Sequence, residues 1–302
     1  MTDRRPNVVD AAGQDCCACR LCASRSRFTM EVRGSRLFTC DACGYLQVDP
    51  LPSEDTLRTI YGEQYFAKSK YRNDEAQIRE QSRRARLLEK AGLPRGQKVL
   101  DFGCATGLFL EQIKDRYTAY GCDYSQEAID LAKDIQPDLE ERLYASSPAN
   151  VLPDDLPELD AITAWDVVEH LGDPVGTLER LASQLRPGGI LALSTPDYGA
   201  LTAKLLGRRW AFMTPPEHLG FFNIGNLRRL FERLGLKVEF SVSQGKWANS
   251  AFILYKARRV FPELIPQSWV DGLSTSWVGR RCLYVPTFDV LYVVARKTSH
   301  HD

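Results

Sequence analysis

The sequence lacks long apolar runs, and it lacks an excess of charge of either sign. No run of 18 apolar residues occurs, and the apolar stretch 283–294 is interrupted by Pro286 and Asp289, so no membrane-spanning helix is predicted. The first fifteen residues contain no apolar core of the kind that marks a signal peptide, and a cytoplasmic protein is expected. Lysine plus arginine number 39, as do aspartate plus glutamate, so no overall field draws the chain to nucleic acid or anionic lipid.

Histidine is scarce, and cysteine is unevenly placed. Only four histidines occur, two of them the pair His300 and His301, which leaves His170 and His218 as candidates for a general base. Nine cysteines are an odd number, and six fall within the first 43 residues. In a reducing compartment this crowding indicates a metal site rather than disulfides. The 302 residues, 44% of them apolar, suit one large globular domain with a small one attached.

Four of these cysteines have the spacing of a zinc site. They form two C-x2-C pairs separated by 17 residues, namely Cys19, Cys22, Cys40 and Cys43. This spacing fits one tetrahedral zinc held by four thiolates, a closed site that stabilises a small module and leaves no position for chemistry. Cys16 and Cys17 lie close enough to compete for the first pair, and the sequence leaves that choice open. Residues 1–49 are therefore predicted to form a zinc-ribbon module.

The rest of the chain is organised around residues 98–110, K-V-L-D-F-G-C-A-T-G-L-F-L. A short apolar run ends in Asp101 and opens through Gly103 and Gly107 into a second apolar stretch, which predicts a buried strand, a tight turn and a helix start. Glycines let the backbone approach a ligand, and the first N–H groups of the helix suit an electron-rich group. A dinucleotide fingerprint would need glycine at 105 and 108, where alanine and leucine stand, so an NAD site is excluded.

A second acid strengthens the prediction of a ligand site at this turn. Residues 118–123 are typical of another short strand, which ends in Asp123, 22 positions after Asp101. A carboxylate at the end of the second strand can accept hydrogen bonds from both ribose hydroxyls of an adenosine. A solvated turn aspartate is the alternative for a lone acid, and the first motif makes it the less favoured one.

The pattern D-x-G-x-x-x-G resembles motif I of the class I S-adenosylmethionine (SAM)-dependent methyltransferases, usually [DE]-x-G-x-G-x-G, with the middle glycine replaced by Ala105 at little cost in room. A helix that ends in P-G-G before an apolar strand is similar to the same family. The resemblance implies an α/β fold, a Rossmann-like, seven-stranded, mostly parallel sheet with helices on both faces. The residues expected to bind SAM are Asp101, Gly103, Cys104, Ala105, Gly107, Asp123, Tyr124, Ser146, Trp165, Asp166 and Tyr65.

Apolar patterns predict the remaining elements. Strands are expected at 143–146, 160–165, 190–195, 236–242 and 288–295, and a helix at 226–234. Residues 50–93 are expected to form a helical linker or cap, in which the pair Tyr65-Phe66 either lies against the cofactor cleft, as in the resembling family, or forms core. The methyltransferase domain is predicted at 94–302, with acceptor-side insertions at about 197–223 and 244–287.

Both insertions are rich in aromatic residues, and long connections of this kind are usually functional. The first holds His218 after Pro215-Pro216-Glu217, and it is expected to form the acceptor-side wall with His218 as general base; a structural histidine is the alternative. The second combines tryptophans with Arg258-Arg259 and Arg280-Arg281, which suit a phosphorylated or glycosyl acceptor, a peripheral membrane contact or a homodimer face. The sequence does not choose among these.

Asp166, Glu169 and His170 occupy positions i, i+3 and i+4 of a predicted helix start, which would place all three on one face. The pattern D-x-x-E-H-x-x-D-P resembles the same stretch of ubiquinone-pathway O-methyltransferases, where two acids and a histidine are associated with a divalent metal. The resemblance implies that these three residues could hold such a metal. The alternative, which we favour, is a hydrogen-bonded helix start with His170 close to the reacting groups.

Together these features predict a SAM-dependent methyltransferase, with oxygen of a small-molecule, saccharide or lipid-linked acceptor as the expected target. The cysteine module resembles the zinc-binding N-terminal region of bacterial methyltransferases from polysaccharide and natural-product clusters. An RNA methyltransferase that binds its substrate through the zinc ribbon is one alternative. It is disfavoured because residues 1–50 carry seven basic and six acidic residues, and because A-W-D-V stands where amino-methylating enzymes of nucleic acids carry an N/D-P-P-Y type motif. A non-catalytic SAM-binding protein is the other.

Overall fold

The structure is a computed structural model that describes residues 8–9, 15–53, 56, 59–60, 75–147, 151–153 and 156–298. Tyr65, the cofactor-binding residue expected in the cap, lies outside the described residues, as does its neighbour Phe66. The expected contact between Tyr65 and the cofactor therefore stays a prediction.

Two sheets contain the strands of the described chain. In chain order these are β1 (Val8–Val9), β2 (Asp15–Ala18), β3 (Arg25–Val32), β4 (Ser35–Cys40), β5 (Leu46–Val48), β6 (Lys98–Phe102), β7 (Thr118–Asp123), β8 (Leu143–Ala145), β9 (Leu159–Trp165), β10 (Leu185–Pro196), β11 (Gly220–Phe221), β12 (Leu236–Asn249) and β13 (Cys282–Lys297). The α-helices are α1 (Glu75–Lys90), α2 (Leu108–Ile113), α3 (Gln126–Ile135), α4 (Pro174–Gln184), α5 (Leu201–Leu206), α6 (Ile224–Arg233), α7 (Ser250–Val260) and α8 (Gln267–Thr275). Short 3₁₀ turns occupy Pro137–Arg142, Val168–His170, Gly207–Arg209 and Val278–Arg280.

The larger sheet has seven strands in the order β12-β13-β10-β9-β6-β7-β8. Strands β6 to β10 run parallel to one another, and β13 is antiparallel to both β10 and β12. The carboxyl ends of the parallel strands meet at one edge of the sheet, which is where ligands bind in open α/β folds. This architecture confirms the predicted Rossmann-like sheet of seven mostly parallel strands.

Successive side chains along each strand point to opposite faces of the sheet, and both faces are apolar. On β6, Val99 belongs to one buried cluster and Leu100 to another. Leu88 of α1 packs in the first cluster, whereas Leu178 of α4 and Leu227 of α6 pack in the second. Helices therefore cover both faces, as predicted. None of the helices in the described part of the chain is both long enough and apolar enough to cross a membrane.

The last two strands are longer than the sequence indicates. They continue as a hairpin from the predicted 236–242 and 288–295 to Asn249 and Cys282, and α7 and α8 lie between their ends. Much of the predicted insertion at 244–287 is therefore sheet and helix. The apolar alternation fades in this part of the hairpin because it is largely exposed or half-buried, and a register shift between Gln244 and Lys246 interrupts it.

The cysteine module shares a sheet with the acceptor-side loop. The smaller sheet has the order β1-β2-β3-β4-β5-β11, and β11 lies within the loop that follows β10. Arg20 ties the two segments further, because its Nη1 donates to the Val48 carbonyl at 2.9 Å and its Nη2 to the Leu219 carbonyl at 2.8 Å. The domain boundary at residue 49 stays a prediction, but the module supports the loop that carries His218.

Tyr45 fills the junction between this module and the larger domain. Its side chain is 0% exposed, and its ring centre lies 4.9 Å from that of Phe222. Gly220 crosses directly over the ring, where a Cβ atom would overlap the tyrosine hydroxyl. Only glycine therefore fits at position 220 while an aromatic residue occupies position 45.

We predict that Tyr45→Ala lowers the free energy of unfolding by about 3–5 kcal/mol, the usual cost of emptying a buried aromatic site. Thermal or urea unfolding should show one cooperative transition, because Tyr45 packs in the same core cluster as Leu178 and Leu227. Phe28→Ala is the matched control on the same module: its ring is 43% exposed, and its loss should cost about 1 kcal/mol or less. Equal effects of the two substitutions would contradict a shared core.

Candidate active site

The turn after β6 depends on residues with left-handed backbone. Gly103, Ala105 and Gly107 have φ values of 77°, 48° and 76°. A Cβ on Gly103 would overlap the side chain of Val167, so glycine is required there for space as well as for conformation. The expectation that Ala105 replaces the middle glycine of the motif at little cost considered only the space available. The replacement also costs conformational energy, because a left-handed alanine is disfavoured by about 1–2 kcal/mol.

Asp123, at the end of β7, holds this turn. Its Oδ2 accepts the backbone N–H of Ala105 at 2.9 Å, and its Oδ1 accepts that of Ser125 at 2.9 Å. Burial raises the pKa of Asp123 above its ordinary value, although these hydrogen bonds lower it. The carboxylate thus reaches the cavity and also fixes the backbone of the glycine-rich turn.

Asp101 is the other acid of the motif, and it is buried at the end of β6. The Thr163 hydroxyl donates to its Oδ1 at 2.6 Å. Burial raises the pKa of Asp101 to about 7, although the bond from Thr163 and the charge of Arg84 oppose the shift. A cationic ligand beside Asp101 would favour its ionised form.

A cavity of about 2470 Å³ extends from this turn to α7 and α8 along the described residues. Nine of the predicted cofactor residues line it, namely Asp101, Gly103, Cys104, Ala105, Asp123, Tyr124, Ser146, Trp165 and Asp166. Gly107 does not line it and instead begins α2 behind the turn, where Gln136 Nε2 donates to its carbonyl at 2.9 Å. The volume exceeds the roughly 300–1,000 Å³ usual for one ligand, so cofactor and acceptor can share the space.

Asp166 does not lie on a helix with Glu169 and His170, and that prediction was wrong. Asp166 has a left-handed backbone with φ of 57°, and Val168–His170 forms a single 3₁₀ turn. The first helix of this region begins only at Pro174, after the capping residue Asp173. A left-handed residue reverses the direction of the chain, so the spacing that would align three side chains on a helix no longer does so.

Asp166 instead joins two cations that no sequence motif indicated. Its Oδ2 accepts Arg84 Nη2 at 2.7 Å and Lys246 Nζ at 2.8 Å, and its Oδ1 accepts the Ser194 hydroxyl at 2.8 Å. Burial alone would raise the pKa of Asp166, but Lys246 and Arg84 hold it well below its usual range. Arg84 and Lys246 are 82 and 80 positions away along the chain, so local patterns could not have found them.

Glu169 and His170 meet His218, which comes from the loop after β10. One ligand-type atom of each residue lies within 4.8 Å of those of the other two, and the two imidazole centres are 4.8 Å apart. All three residues line the cavity. Glu169 is 2% exposed, and burial, followed by the charge of Asp166, raises its pKa to about 8. The candidate metal set of the sequence is thus only partly assembled, with His218 in the place of Asp166.

The four predicted zinc ligands gather in one place. Sulfur atoms are 3.7 Å apart for Cys19 and Cys43, 3.5 Å for Cys22 and Cys40, and 3.6 Å for Cys22 and Cys43. Zinc–sulfur bonds of about 2.3 Å in a tetrahedron put sulfurs about 3.8 Å apart, so the cluster fits the ion. Neither Cys16 nor Cys17 belongs to this group of four, and Cys17 accepts a hydrogen bond from Gln47 Nε2 at 3.2 Å. The geometry therefore supports Cys19 and Cys22 as the first pair.

The far part of the cavity combines aromatic rings with cations. Lys246 and Lys256 place their ammonium groups 5.6 Å and 5.2 Å from the ring centre of Phe212. The hairpin that carries Lys246 is braced against α1, because the backbone N–H of Trp247 donates to Glu80 Oε1 at 2.7 Å. This wall is built from the first insertion, the hairpin and α7.

The order of the strands, the glycine-rich turn and the acids at the strand ends together define a Rossmann-like protein. Its ligand site is of the nucleoside-binding kind found in methyltransferases. A model of the methyltransferase domain family matches residues 71–240, more than half of the chain, and the protein belongs to that family. It is a SAM-dependent methyltransferase.

Curated relatives and solved structures agree with this assignment. The ubiquinone biosynthesis O-methyltransferase of Coxiella burnetii (strain Dugway 5J108-111) is 28% identical over 163 residues, 51% of this chain and 70% of that protein. The protein of the same name from Aeromonas salmonicida (strain A449) is 27% identical over 164 residues, 50% and 68% of the two chains. Magnesium protoporphyrin IX methyltransferase from Synechocystis PCC 6803 with bound SAH gives a TM-score of 0.54 at 14% identity, over 82% of this chain and 100% of that one. A SAM-dependent methyltransferase from Archaeoglobus fulgidus gives a TM-score of 0.50 at 20% identity, over 78% of this chain and 100% of that one. At these identities the structures show the fold alone.

We predict that Asp123→Asn weakens SAM binding by about 1.5–3 kcal/mol, because charged hydrogen bonds to the ribose are lost. A smaller loss of stability should accompany it, since the Ala105 N–H would bond a neutral oxygen in place of the carboxylate. Calorimetry with SAM measures the first effect and thermal unfolding the second. Asp134→Asn, an exposed acid on α3, is the control and should change neither. Unchanged SAM affinity in Asp123→Asn would place the ribose elsewhere.

Proposed function

We propose that the enzyme transfers the methyl group of SAM to an oxygen of a small-molecule acceptor that binds between the cofactor and α7. The observation that carries the proposal is the continuity of the cavity, since the motif I turn, Asp166 and Lys246 all line the same space. Methyl transfer from a sulfonium is an in-line displacement, so the protein has chiefly to align donor and acceptor. The relatives are named O-methyltransferases, which supports oxygen as the atom methylated.

The distribution of charge supports an acceptor that is anionic when it reacts. Asp101 and Asp123 line the cofactor end, where they suit a sulfonium cation. Lys246, Lys256 and Arg259 line the other end. Cations placed there stabilise the negative charge that develops when an acceptor hydroxyl loses its proton. The enzyme thus offers charges of opposite sign to its two ligands.

The aromatic side chains narrow the class of acceptor. Phe212, Trp247 and Phe252 line the cavity near these cations. A flat apolar ring fits such a wall better than a sugar, whose hydroxyls need several polar partners. We therefore favour a phenol over a saccharide or a lipid-linked acceptor. The exposed tryptophans of the hairpin end, Trp269 and Trp277, suit a peripheral membrane contact if the acceptor carries an apolar tail.

His218 and His170 are the proposed proton acceptors. The Nδ1 atom of His170 lies 2.8 Å from the Glu217 carbonyl, and that of His218 lies 2.8 Å from the Phe212 carbonyl. A carbonyl only accepts, so each Nδ1 carries the hydrogen and each Nε2 is the basic nitrogen. A base positioned in this way typically contributes about 10²- to 10⁴-fold in rate.

We propose that the cysteine cluster holds one structural zinc and that the module does not bind nucleic acid. Three of its arginines pair with its own acids: Arg25 and Arg27 with Asp41, and Arg36 with Asp15. A phosphate backbone would have to compete with these pairs. A closed thiolate site would instead stabilise β5, which pairs with β11 of the acceptor loop.

We expect one zinc per chain to survive brief exposure to EDTA, and Cys40→Ser to lose it. Thermal stability and methyl transfer should fall, because β5 supports the acceptor loop. SAM affinity should change little, since the cofactor residues belong to the larger sheet. Elemental analysis, thermal unfolding, a methyl-transfer assay and calorimetry measure the zinc content, the stability, the turnover and the SAM affinity. Cys17→Ser is the matched control and should keep the zinc. A purified protein without zinc whose thiols react freely when native would refute the metal site.

The function can be tested by incubating the protein with SAM and panels of phenolic, glycan and RNA acceptors. Mass spectrometry then detects a mass gain of one methyl group. Phenols should be methylated at oxygen. Lys246→Met should then reduce kcat/KM by at least about tenfold, because it removes the cation at the acceptor end, while SAM still binds. Lys237→Met, an exposed lysine on the same strand β12, is the control and should behave as wild type. Methylation of RNA alone would overturn the proposal.

A further inference from the structure

Helix α7 presents one face to the acceptor end of the cavity. Phe252, Lys256 and Arg259 are spaced i, i+4 and i+7 along the helix, and all three line the cavity. Phe252 stands near the start of the helix, next to β12, and the two cations follow it. The order along this face is therefore an apolar ring and then two positive charges.

Lys256 belongs to the aromatic wall of this end. Its Nζ donates to the Ala211 carbonyl at 3.3 Å, and it lies 5.2 Å from the ring centre of Phe212 and 5.5 Å from that of Phe252. The ammonium group is attracted by the faces of both rings. It therefore lies next to the rings on which we expect a phenol to stack.

Arg259 carries a charge that faces the cavity without an anionic partner. Its side chain is half-buried, and within the described ranges it forms neither an ion pair nor a hydrogen bond. Lys246 differs, because its Nζ bonds Asp166 at 2.8 Å. Asp271 of α8 lines the same cavity, but its Oδ1 accepts Gln267 Nε2 at 2.8 Å. A half-buried guanidinium in such a place favours the binding of an anion.

The cysteine module adds a further cation beside Arg259. Arg33 stands in the two-residue turn between β3 and β4, where its φ is 53° and that of Gly34 is 75°. Such turns favour asparagine before glycine, so the turn itself gives no reason for an arginine. Burial of part of the side chain, followed by the charge of Arg259, lowers the pKa of Arg33, whereas Tyr255 and Glu217 raise it. The module and α7 thus bring two positive charges close enough to repel.

Thr214 is an independent sign that a ligand belongs at this end. It is 3% exposed and lines the cavity, and its hydroxyl oxygen has no hydrogen-bond partner in the part of the chain that the structure describes. Its carbonyl oxygen, by contrast, accepts the N–H groups of Glu217 and His218 at 2.9 Å and 3.1 Å. Native proteins leave few buried hydroxyls unpartnered, because taking them out of water is costly. An oxygen of a bound acceptor would satisfy the hydroxyl.

We propose that Thr214, Lys256 and Arg259 bind an acidic substituent of the acceptor, either a carboxylate or a phosphate ester. Arg33 adds its charge from the module, which thus takes part in the recognition of the acceptor. Charged hydrogen bonds are the stronger ones, and a planar guanidinium can hold two oxygens of such an anion. The role of the anion in placing an acceptor rests on the proposed methyl transfer, but its binding does not.

Calorimetry with three phenols tests the site. Each phenol has a short para side chain, which ends in a carboxylate, a phosphate ester or a neutral amide. The protein is saturated with S-adenosylhomocysteine, so no methyl transfer occurs. At least one acid should bind at least about tenfold more tightly than the amide, because charged hydrogen bonds are gained. The tighter of the two acids identifies the substituent, and equal affinities of all three phenols would overturn the proposal.

Three variants identify the groups that bind the anion. Arg259→Gln should reduce the preference for the acid over the amide to about threefold or less. Arg33→Gln and Thr214→Val should each weaken binding of the acid by a few fold. Unchanged affinity for the amide shows that each variant is folded. Arg228→Gln, which removes an exposed arginine of α6, is the matched control and should behave as wild type. An undiminished preference in Arg259→Gln would refute the site, and one in Arg33→Gln would refute the part assigned to the module.

Phenyl phosphate separates this site from the proposed function, because it has no phenolic hydroxyl to methylate. Binding of phenyl phosphate that is lost in Arg259→Gln, by a protein that methylates no phenol, would keep the anion site and remove the proposed acceptor class. Methylation of neutral phenols without preference for acids would keep the proposed function and remove the anion site. Failure of every acid to bind, phenyl phosphate included, would also overturn it.

Discussion

The carboxylate of Asp166 holds together the segments that form the cavity. It bonds Arg84 of α1, Ser194 of β10 and Lys246 of β12, three elements that are distant in the chain. Arg84 is buried, whereas Asp166 and Lys246 are half-buried. A charge taken out of water is costly unless it is paired, so the carboxylate and its two cations stabilise one another only as a set. The left-handed backbone at Asp166 removes the helical alignment with Glu169 and His170, and its side chain bonds Arg84, Ser194 and Lys246 instead. The position of the acceptor wall relative to the cofactor turn depends on these bonds of Asp166.

Short-range chemistry made much of the fold predictable, including the glycine-rich turn and the acids at the strand ends. A left-handed turn needs Gly103, and a nucleoside ligand favours an acid at Asp123, so each leaves a signal within a few residues. The cysteine pairs are equally local, because each short turn contributes two of the four clustered thiols. The apolar strands of the larger sheet are buried on both faces and stand out as apolar runs, whereas the outer half of the β12–β13 hairpin does not.

The acceptor side could not be predicted because its contacts join distant parts of the chain. The bond between His170 and Glu217 spans 47 positions, and that between Arg84 and Asp166 spans 82. The pairing of β5 with β11 involves a strand of only two residues, too short to show a period. At Asp166 the sequence misleads, since D-x-x-E-H has the spacing of a helix face and one left-handed residue removes the alignment. Only the folded chain shows which side chains meet there.

The link between the cysteine module and the acceptor loop has a consequence for the order in which the protein is made. Arg20 bonds Leu219 across 199 positions, so the partner of the module leaves the ribosome long after the module itself. During that interval β5 presents an unpaired edge, which is a site for mistaken pairing with other chains. Early binding of zinc would fold the emerging segment before its partner exists. The outer edge of β5 would still stay open until Gly220 and Phe221 emerge, so the interval of risk is set by the length of chain between the two strands.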